Sequence, residues 1–239
     1  MSIEVSEEAG VRYLHFGTHW IQGAMRIARP WSLELDYTRD MMFPLLLDHP
    51  PRWPRSALIV GLGAASVTRF LYRHFPHTAQ TVVELDAAVV NVAQQHFRLP
   101  AQRPRLRIEI GDGADYMMAS DQRFDWILVD GFDANGRAGA LDTLPFYCNC
   151  LARLADCGIV SVNLLTYRHG LRGSLARLRA AFGAEVLVLP ACDSGNVVAL
   201  ASSGAALVKP PKALAVAAKR LRAATRLNLV PTLARMAKA

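Results

Sequence analysis

The chain has 239 residues, a formal net charge of +7, 52% apolar residues and 20% charged residues. This composition can fill a hydrophobic core, which excludes a disordered chain. No apolar run reaches the roughly 18 residues of a membrane-spanning helix, and the acidic N-terminal sequence MSIEVSEEAG lacks the apolar segment of a signal peptide. We therefore expect a cytoplasmic protein without a membrane span.

The positive charge is concentrated at the C-terminal end. Residues 209–239 contain eight Lys and Arg and no Asp or Glu, so residues 1–208 carry 19 basic and 20 acidic side chains. The body of the chain has no basic stripe typical of a nucleic-acid-binding surface, and we expect no nucleic-acid partner.

The cysteines form no CxxC pair and have no paired histidines beside them. They are Cys148, Cys150, Cys157 and Cys192. This spacing predicts free buried thiols in a reducing compartment and indicates no metal site.

The first 50 residues predict a small N-terminal unit. Residues 11–28 mix β-branched and aromatic residues around Gly17 and Thr18, a pattern typical of a β-hairpin. A helix is predicted from Tyr37 to Leu47. The stiff segment PPRWPR (50–55) predicts the boundary to a main domain over 55–205, followed by a tail over 206–239.

From residue 56 onward, apolar strands alternate with helices. Strands are predicted at 56–60, 81–85, 105–110, 124–130 and 158–165, helices at 64–74, 87–97, 113–119, 143–154 and 171–182, and two closing strands at 185–189 and 196–201. This order predicts an α/β fold, Rossmann-like and of the class I methyltransferase type, with a seven-stranded, mostly parallel sheet.

The turn after the first of these strands reads Gly61-Leu62-Gly63. Glycines at this place let backbone N–H groups approach a nucleotide at the start of a helix, although the same turn also occurs without a ligand. Glu84 ends the second strand, where an acid accepts hydrogen bonds from a ribose diol. The alternative for Glu84 is a solvated acid at a strand end.

Three more acids follow the ends of the next two strands. Asp112 and Gly113 follow the third, and Asp130 and Asp133 follow the fourth. Asp112 can accept a bond from an adenine amino group, cap the next helix, or do both. For Asp133 the alternative is a turn residue in Asp-Ala-Asn-Gly.

These residues together resemble the spermidine synthase (polyamine aminopropyltransferase) family from about Arg12 to Ala201. The similarity rests on Gln22 in the hairpin, Tyr37 before a helix, Val-Glu-Leu-Asp (83–86), Gly-Asp-Gly (111–113), the two acids of Asp130-Gly131-Phe132-Asp133, and Phe146-Tyr147. The resemblance implies a co-substrate site for decarboxylated or intact S-adenosylmethionine at Gly61, Gly63, Glu84, Asp112 and Gly113. It implies Asp130 as the catalytic group, Gln22, Tyr37, Asp133 and Tyr147 as substrate-binding residues, an amine of polyamine type as acceptor, and a homodimer.

The chain also departs from the family pattern. The glycine-rich turn continues Gly-Ala-Ala-Ser without the usual acid, and the late Pro-x-Tyr segment is replaced by residues 191–195. Two other functions therefore stay open. One is a methyltransferase that uses intact S-adenosylmethionine, favoured if Ser66 or Arg69 can bind its carboxylate. The other is a ligand-binding relative that has lost turnover.

The basic tail predicts an amphipathic helix from Lys212. Apolar residues recur with helical spacing at Leu214, Ala217, Ala218, Leu221 and Ala224, and Pro231 is expected to interrupt the helix. Such a helix can lie on an anionic membrane or nucleic acid. Because the stripe is mainly Ala, docking on the protein's own body or on a partner subunit is favoured.

Overall fold

The structure is a computed structural model that describes residues 2–18, 20–166, 170–183 and 185–238. Its helices and strands in chain order are β1 (Glu4–Glu8), β2 (Val11–His15), β3 (Gly23–Arg26), α1 (Asp36–Asp40), β4 (Ser56–Val60), α2 (Ser66–His74), β5 (Ala79–Glu84), α3 (Ala87–His96), β6 (Leu106–Ile110), α4 (Gly113–Ala119), β7 (Phe124–Val129), α5 (Leu144–Arg153), β8 (Leu154–Leu165), α6 (Leu171–Phe182), β9 (Leu187–Val188), β10 (Asn196–Ser202), α7 (Pro211–Thr225) and α8 (Val230–Met236). Two 3-10 helices cover Phe43–Leu46 and Gly139–Asp142.

The N-terminal unit is a three-stranded antiparallel sheet. Strands β2 and β3 pair as the predicted hairpin, with Val11 opposite Arg26. Strand β1 pairs with β2 on the other side, with Glu4 opposite His15. The sequence did not predict β1, because its residues EVSEE are mostly exposed and show no apolar alternation.

The prediction of one continuous helix from Tyr37 to Leu47 is wrong, because the structure has two short helices there. Helix α1 ends at Asp40, and the chain continues in the 3-10 helix Phe43–Leu46. Pro44 stands in the first turn of that helix, where its missing N–H costs no hydrogen bond. Met41 and Met42, between the two helices, are fully buried.

The main sheet has seven strands in the order β6-β5-β4-β7-β8-β10-β9. The first five are parallel to one another, and β10 is antiparallel to both β8 and β9. The predicted mostly parallel α/β sheet with an antiparallel closing edge is confirmed. Successive side chains of the strands point to opposite faces of the sheet, and each face carries its own hydrophobic cluster. Ile59 packs with α2 and α3 on one face, and Leu58 packs with α4, α5 and α6 on the other.

The tail forms two helices that pack on the protein's own body. Leu214 and Ala218 of α7, together with Leu227 and Leu229, belong to the same buried cluster as α1 and the strands. The break between the helices comes at Arg226, which has a left-handed φ of 64°, earlier than the predicted break at Pro231. Pro231 instead lies in the first turn of α8. No helix in the described ranges is long and apolar enough to cross a membrane.

The four cysteines are free, as predicted, but only two are buried. Cys150 and Cys192 lie in the interior, whereas Cys148 and Cys157 are exposed. Cys148 lies on the outer side of α5, and Cys157 lies at a left-handed position (φ 58°) in the exposed start of β8. The expectation of four buried thiols is therefore wrong for these two.

Candidate active site

A cavity of about 840 Å³ opens at the carboxyl ends of β4, β5, β6 and β7. This is the place where open parallel sheets bind ligands, and the volume suits a small molecule. The N-terminal sheet contributes Gln22 and Gly23 to one wall, α1 contributes Tyr37, and the loop over 131–141 contributes another wall. In the described part of the chain, no group of three or more His, Cys, Asp or Glu could hold a metal ion.

The glycine turn after β4 is shaped by close backbone contacts. Gly61 has a left-handed φ of 94°, and a side chain there would collide with the Asp130 carbonyl group. Gly63 is also left-handed, with φ 49°. Ala65 is the N-cap residue of α2, and no side chain makes a capping hydrogen bond to this helix. The N-terminus of α2 therefore begins beside the cavity with its first N–H groups uncapped by a side chain.

Glu84 lies at the cavity wall and holds the glycine turn. Its Oε2 accepts a hydrogen bond from the Leu62 N–H at 2.8 Å, and its Oε1 accepts one from the Asp86 N–H at 3.1 Å. The side chain is only 9% exposed, so the solvated acid is the wrong alternative. Each oxygen keeps a lone pair that can accept a further hydrogen bond from a ligand.

Asp112 does cap the next helix. Its Oδ1 accepts hydrogen bonds from the N–H groups of Ala114 at 2.6 Å and Asp115 at 3.3 Å. Asp112 and Gly113 also line the cavity. Because both capping bonds use Oδ1, the other carboxylate oxygen remains available for a ligand, and adenine contact stays a prediction.

Asp130 lies at the inner wall of the cavity, partly buried. Asn163 Nδ2 donates a hydrogen bond to its Oδ1 at 2.9 Å, and the Tyr37 hydroxyl is also hydrogen-bonded to it. Burial raises the pKa of Asp130 above its ordinary range, and the two hydrogen bonds oppose that shift. Burial and the neighbouring Asp130 raise the pKa of the Tyr37 hydroxyl well above 10, so this group stays protonated and acts as a donor.

Two asparagines of the site were missed by the sequence analysis. Asn163 ends the apolar run GIVSVN of β8, and Asn196 begins β10. Both line the cavity, and Asn196 Nδ2 donates to Asn163 Oδ1 at 2.9 Å. A signal was present for Asn163, because an amide in a buried strand needs partners at the edge where the other polar residues lie.

Asp133 is a turn residue, which was the alternative to a binding role. Its Oδ1 accepts hydrogen bonds from the N–H groups of Asn135 and Arg137, both at 2.8 Å. The side chain is exposed and lines the cavity mouth. A role in binding an amine stays a prediction for this residue, and so does substrate contact for Gln22.

Tyr147 does not lie at the cavity. It is fully buried in the cluster beneath α5 and donates a hydrogen bond to Asp142 Oδ1 at 2.8 Å. The prediction of Tyr147 as a substrate-binding residue is therefore wrong. Sequence adjacency to Phe146 could not reveal that this face of α5 turns toward the sheet.

The two side chains that would favour intact S-adenosylmethionine donate hydrogen bonds to backbone carbonyls. Ser66 donates its hydroxyl to the Ala24 carbonyl at 3.0 Å. Arg69 is fully buried and donates to the carbonyls of Pro30 and Phe97, both at 2.8 Å. Burial lowers the pKa of Arg69 to about 9. Arg69 does not line the cavity, so it offers no partner for a carboxylate there.

The fold defines the class of this protein as a Rossmann-like protein with the methyltransferase fold. Solved structures support this fold. A probable spermidine synthase from Corynebacterium glutamicum ATCC 13032 is similar with a TM-score of 0.77, 20% identity and coverage of 92% of this chain and 83% of that one. Human methyltransferase-like protein 13 is similar with a TM-score of 0.71, 24% identity and coverage of 80% and 93%.

Sequence comparison identifies the family. The pattern of the spermine/spermidine synthase domain matches residues 34–164. The polyamine aminopropyltransferase of Neisseria meningitidis (serogroup A, strain Z2491) is 34% identical over 199 residues, which cover 83% of this chain and 75% of that protein. The polyamine aminopropyltransferase of Chromobacterium violaceum is 35% identical with the same coverage. The chain therefore belongs to the spermine/spermidine synthase family of transferases, as its sequence motifs predicted.

Proposed function

We propose that this enzyme transfers an aminopropyl group from decarboxylated S-adenosylmethionine to an amine acceptor of polyamine type. Asp130 carries the proposal. Its carboxylate lies at the inner wall of the cavity, held by donors from Tyr37 and Asn163, and it faces the space between the glycine turn and the 131–141 loop. Membership in the family supports the same reaction.

The reaction needs a neutral amine beside an activated carbon. Most aliphatic amines are protonated near neutral pH, and an ammonium has no lone pair. Asp130 accepts the proton, the nitrogen attacks the methylene next to the sulfonium, and a C–N bond forms as the C–S bond breaks. The electron pair of the broken bond goes to sulfur, so methylthioadenosine leaves as a neutral thioether. Since the carbon is already activated, alignment of the two reactants supplies much of the remaining rate gain.

The adenosine half is assigned to the opposite part of the cavity. Glu84 accepts hydrogen bonds from the ribose hydroxyls, Asp112 accepts one from the adenine amino group, and Gly61, Gly63 and Gly113 allow close approach of the backbone. Gln22 and Asp133 hold the acceptor amine near Asp130. We also infer a cytoplasmic homodimer that uses no metal and binds no nucleic acid.

Product analysis tests the proposal. The protein is incubated with decarboxylated or intact S-adenosylmethionine and a panel of diamines and polyamines, and the products are identified by mass spectrometry. Methylthioadenosine with an aminopropylated amine supports aminopropyl transfer. A methylated product with S-adenosylhomocysteine contradicts it in favour of methyl transfer, and binding without any product contradicts it in favour of a relative that has lost turnover.

A further inference from the structure

A one-way chain of hydrogen bonds ends on Asp130. The Ser194 hydroxyl donates to Asn196 Oδ1 at 2.7 Å, Asn196 Nδ2 donates to Asn163 Oδ1 at 2.9 Å, and Asn163 Nδ2 donates to Asp130 Oδ1 at 2.9 Å. Asn163 and Asn196 are only 4% and 8% exposed. We call Ser194, Asn196 and Asn163 the amide ladder.

We propose that the amide ladder orients the Asp130 carboxylate, with Asn163 and Asn196 acting as positioning residues for aminopropyl transfer. The inference rests on the proposed function, because it takes Asp130 as the group that receives the amine proton. A carboxylate accepts hydrogen bonds only, so it fixes the Asn163 NH₂ group toward itself. That choice turns Asn163 Oδ1 toward Asn196, which must donate its NH₂ group to it. The Asn196 Oδ1 then faces Ser194 and accepts a hydrogen bond from its hydroxyl.

The hydrogen bond that the ladder donates lowers the pKa of the Asp130 carboxyl. Hydrogen bonds donated to an ionised carboxylate favour the charged form, whereas burial favours the neutral form. Side-chain amides do not exchange protons readily, so the ladder holds the carboxylate and does not relay a proton. The Ser194 end of the ladder lies in the turn before β10. Ser194 Oγ is 3.1 Å from Cys192 Sγ. The Thr166 N–H, directly after β8, donates a hydrogen bond to Gly195 O at 2.9 Å and holds this turn beside β8.

Several ionisable side chains of the described ranges lie at or near the cavity wall that carries Asp130. Tyr37 of α1 is hydrogen-bonded to it, and Cys192 interacts with Tyr37. The other acids of the cavity wall are Glu84, Asp86, Asp112 and Asp133, and the cation of its lining is Arg137. Asn163 and Tyr37 both donate a hydrogen bond to Asp130, and removal of the Asn163 donor is expected to raise the Asp130 pKa.

The test measures the ionisation of Asp130 directly. Protein labelled with ¹³C at the aspartate carboxyl carbon is titrated by NMR, and Asp130→Asn assigns the signal. In Asn163→Leu, which keeps the volume but removes the donor, we expect the Asp130 pKa to rise by about one to two pH units. Asn196→Leu is expected to give a smaller rise. Because Asn196 acts through Asn163, the double variant is expected to match Asn163→Leu alone.

Asn149→Leu is the matched control, since it makes the same substitution in α5 at a residue that does not line the cavity. It is expected to leave the Asp130 titration unchanged. Thermal unfolding and methylthioadenosine affinity confirm that each variant is folded. The acid limb of kcat/KM is expected to move with the NMR titration. An unchanged Asp130 titration in Asn163→Leu, or additive effects in the double variant, overturns the ladder. A wild-type protein that forms no aminopropylated product overturns the proposed function instead, and the NMR titration still decides on the ladder.

Discussion

Glu84 combines a structural role with the proposed binding role. Its two oxygens already accept the N–H groups of Leu62 and Asp86 and so hold the glycine turn against the end of β5. Asp112 has the same double position, as helix cap and cavity wall. A residue of this kind is pre-positioned for a ligand because the backbone holds it before the ligand arrives.

Replacing Glu84 is expected to weaken nucleotide binding. Glu84→Ala removes the acceptors for the ribose hydroxyls, and charge-assisted bonds of this kind contribute roughly 1.5–3 kcal/mol, or about 10- to 100-fold in affinity. Calorimetric titration with methylthioadenosine measures the loss. Glu109→Ala, an acid of the neighbouring strand outside the cavity lining, is the matched control. Unchanged affinity in Glu84→Ala would remove the basis of the nucleotide site.

Replacing Asp130 by Asn is expected to separate activity from stability. Asn cannot accept the amine proton, so transfer falls by roughly 10²- to 10⁴-fold while methylthioadenosine affinity is kept. Because burial raises the Asp130 pKa, the ionised side chain destabilises the fold at neutral pH, and Asp130→Asn is expected to unfold at a higher temperature. Transfer at the wild-type rate would show that Asp130 is structural.

The same pKa predicts the pH dependence of the reaction. The proposed reaction requires Asp130 to be ionised, and burial raises the pKa of this carboxyl above the ordinary aspartate range. Activity is therefore expected to be lost as the pH falls through that raised pKa, at a higher pH than a solvated aspartate would give. A pH profile of kcat/KM checks this, provided that the acceptor amine is kept saturating or its own ionisation is corrected for. A loss of activity at the same low pH in Asp130→Glu as in the wild type would assign this pH dependence to another group.

The cavity-lining acids that end strands were predictable from the sequence, whereas the residues that depend on tertiary pairing were not. Glu84, Asp112 and Asp130 each follow an apolar strand, and parallel strands bring such ends to one edge. Asn196 lies at the start of its strand, so only the antiparallel direction of β10 places it at that edge. Tyr147 was misassigned because a motif position does not specify which face of α5 is buried.

Helix α1 connects the cavity to the tail. Tyr37 of this helix reaches Asp130, and Asp40, one turn later, accepts a hydrogen bond from the Thr232 hydroxyl of α8 at 2.5 Å. Arg235 of α8 forms an ion pair with the same carboxylate, which is 3% exposed. The pattern of apolar residues predicted helices in the N-terminal unit and in the tail, but no local signal indicated that the two would meet.

Removing Arg235 is expected to destabilise the protein in a pH-dependent way. Breaking a buried ion pair from one side costs roughly 3–5 kcal/mol, and Arg235→Met should lie at the lower end because the Arg235 side chain is 24% exposed. Burial already raises the Asp40 pKa, and loss of the cation raises it further. The destabilisation is therefore largest above that pKa and shrinks as acid protonates Asp40.

Urea unfolding at several pH values measures this effect. Arg220→Met is the matched control, because Arg220 lies on the exposed side of α7, and exposed substitutions change stability by about 0.5 kcal/mol or less. A loss of stability in Arg235→Met that does not depend on pH would assign it to packing of the aliphatic stem and not to the charge on Asp40.

The N-terminal unit, the sheet and the tail share one hydrophobic cluster. Leu33 of the N-terminal unit, Ile59 of β4 and Leu229 of the tail all belong to it. The division at 50–55 and 206 that the sequence predicted stays a prediction, while packing is continuous across both points. The seven-stranded fold was predictable because its strands are long apolar runs, whereas a shared core depends on contacts between residues far apart in the chain.

The tail is expected to contribute stability and not nucleotide affinity. Leu229 is fully buried, so Leu229→Ala should cost roughly 2–5 kcal/mol. Val230→Ala, at a neighbouring position that is 51% exposed, is the matched control and should cost about 0.5 kcal/mol or less.

Deletion of residues 209–239 removes Leu214 and Leu227 from the same cluster as well. We therefore expect a larger loss of stability in calorimetry, or a changed oligomer size in sedimentation. None of the described residues 209–238 lines the cavity, so methylthioadenosine should bind folded Leu229→Ala as tightly as it binds the wild type. A many-fold loss of affinity in a folded variant would show that the tail covers the active site.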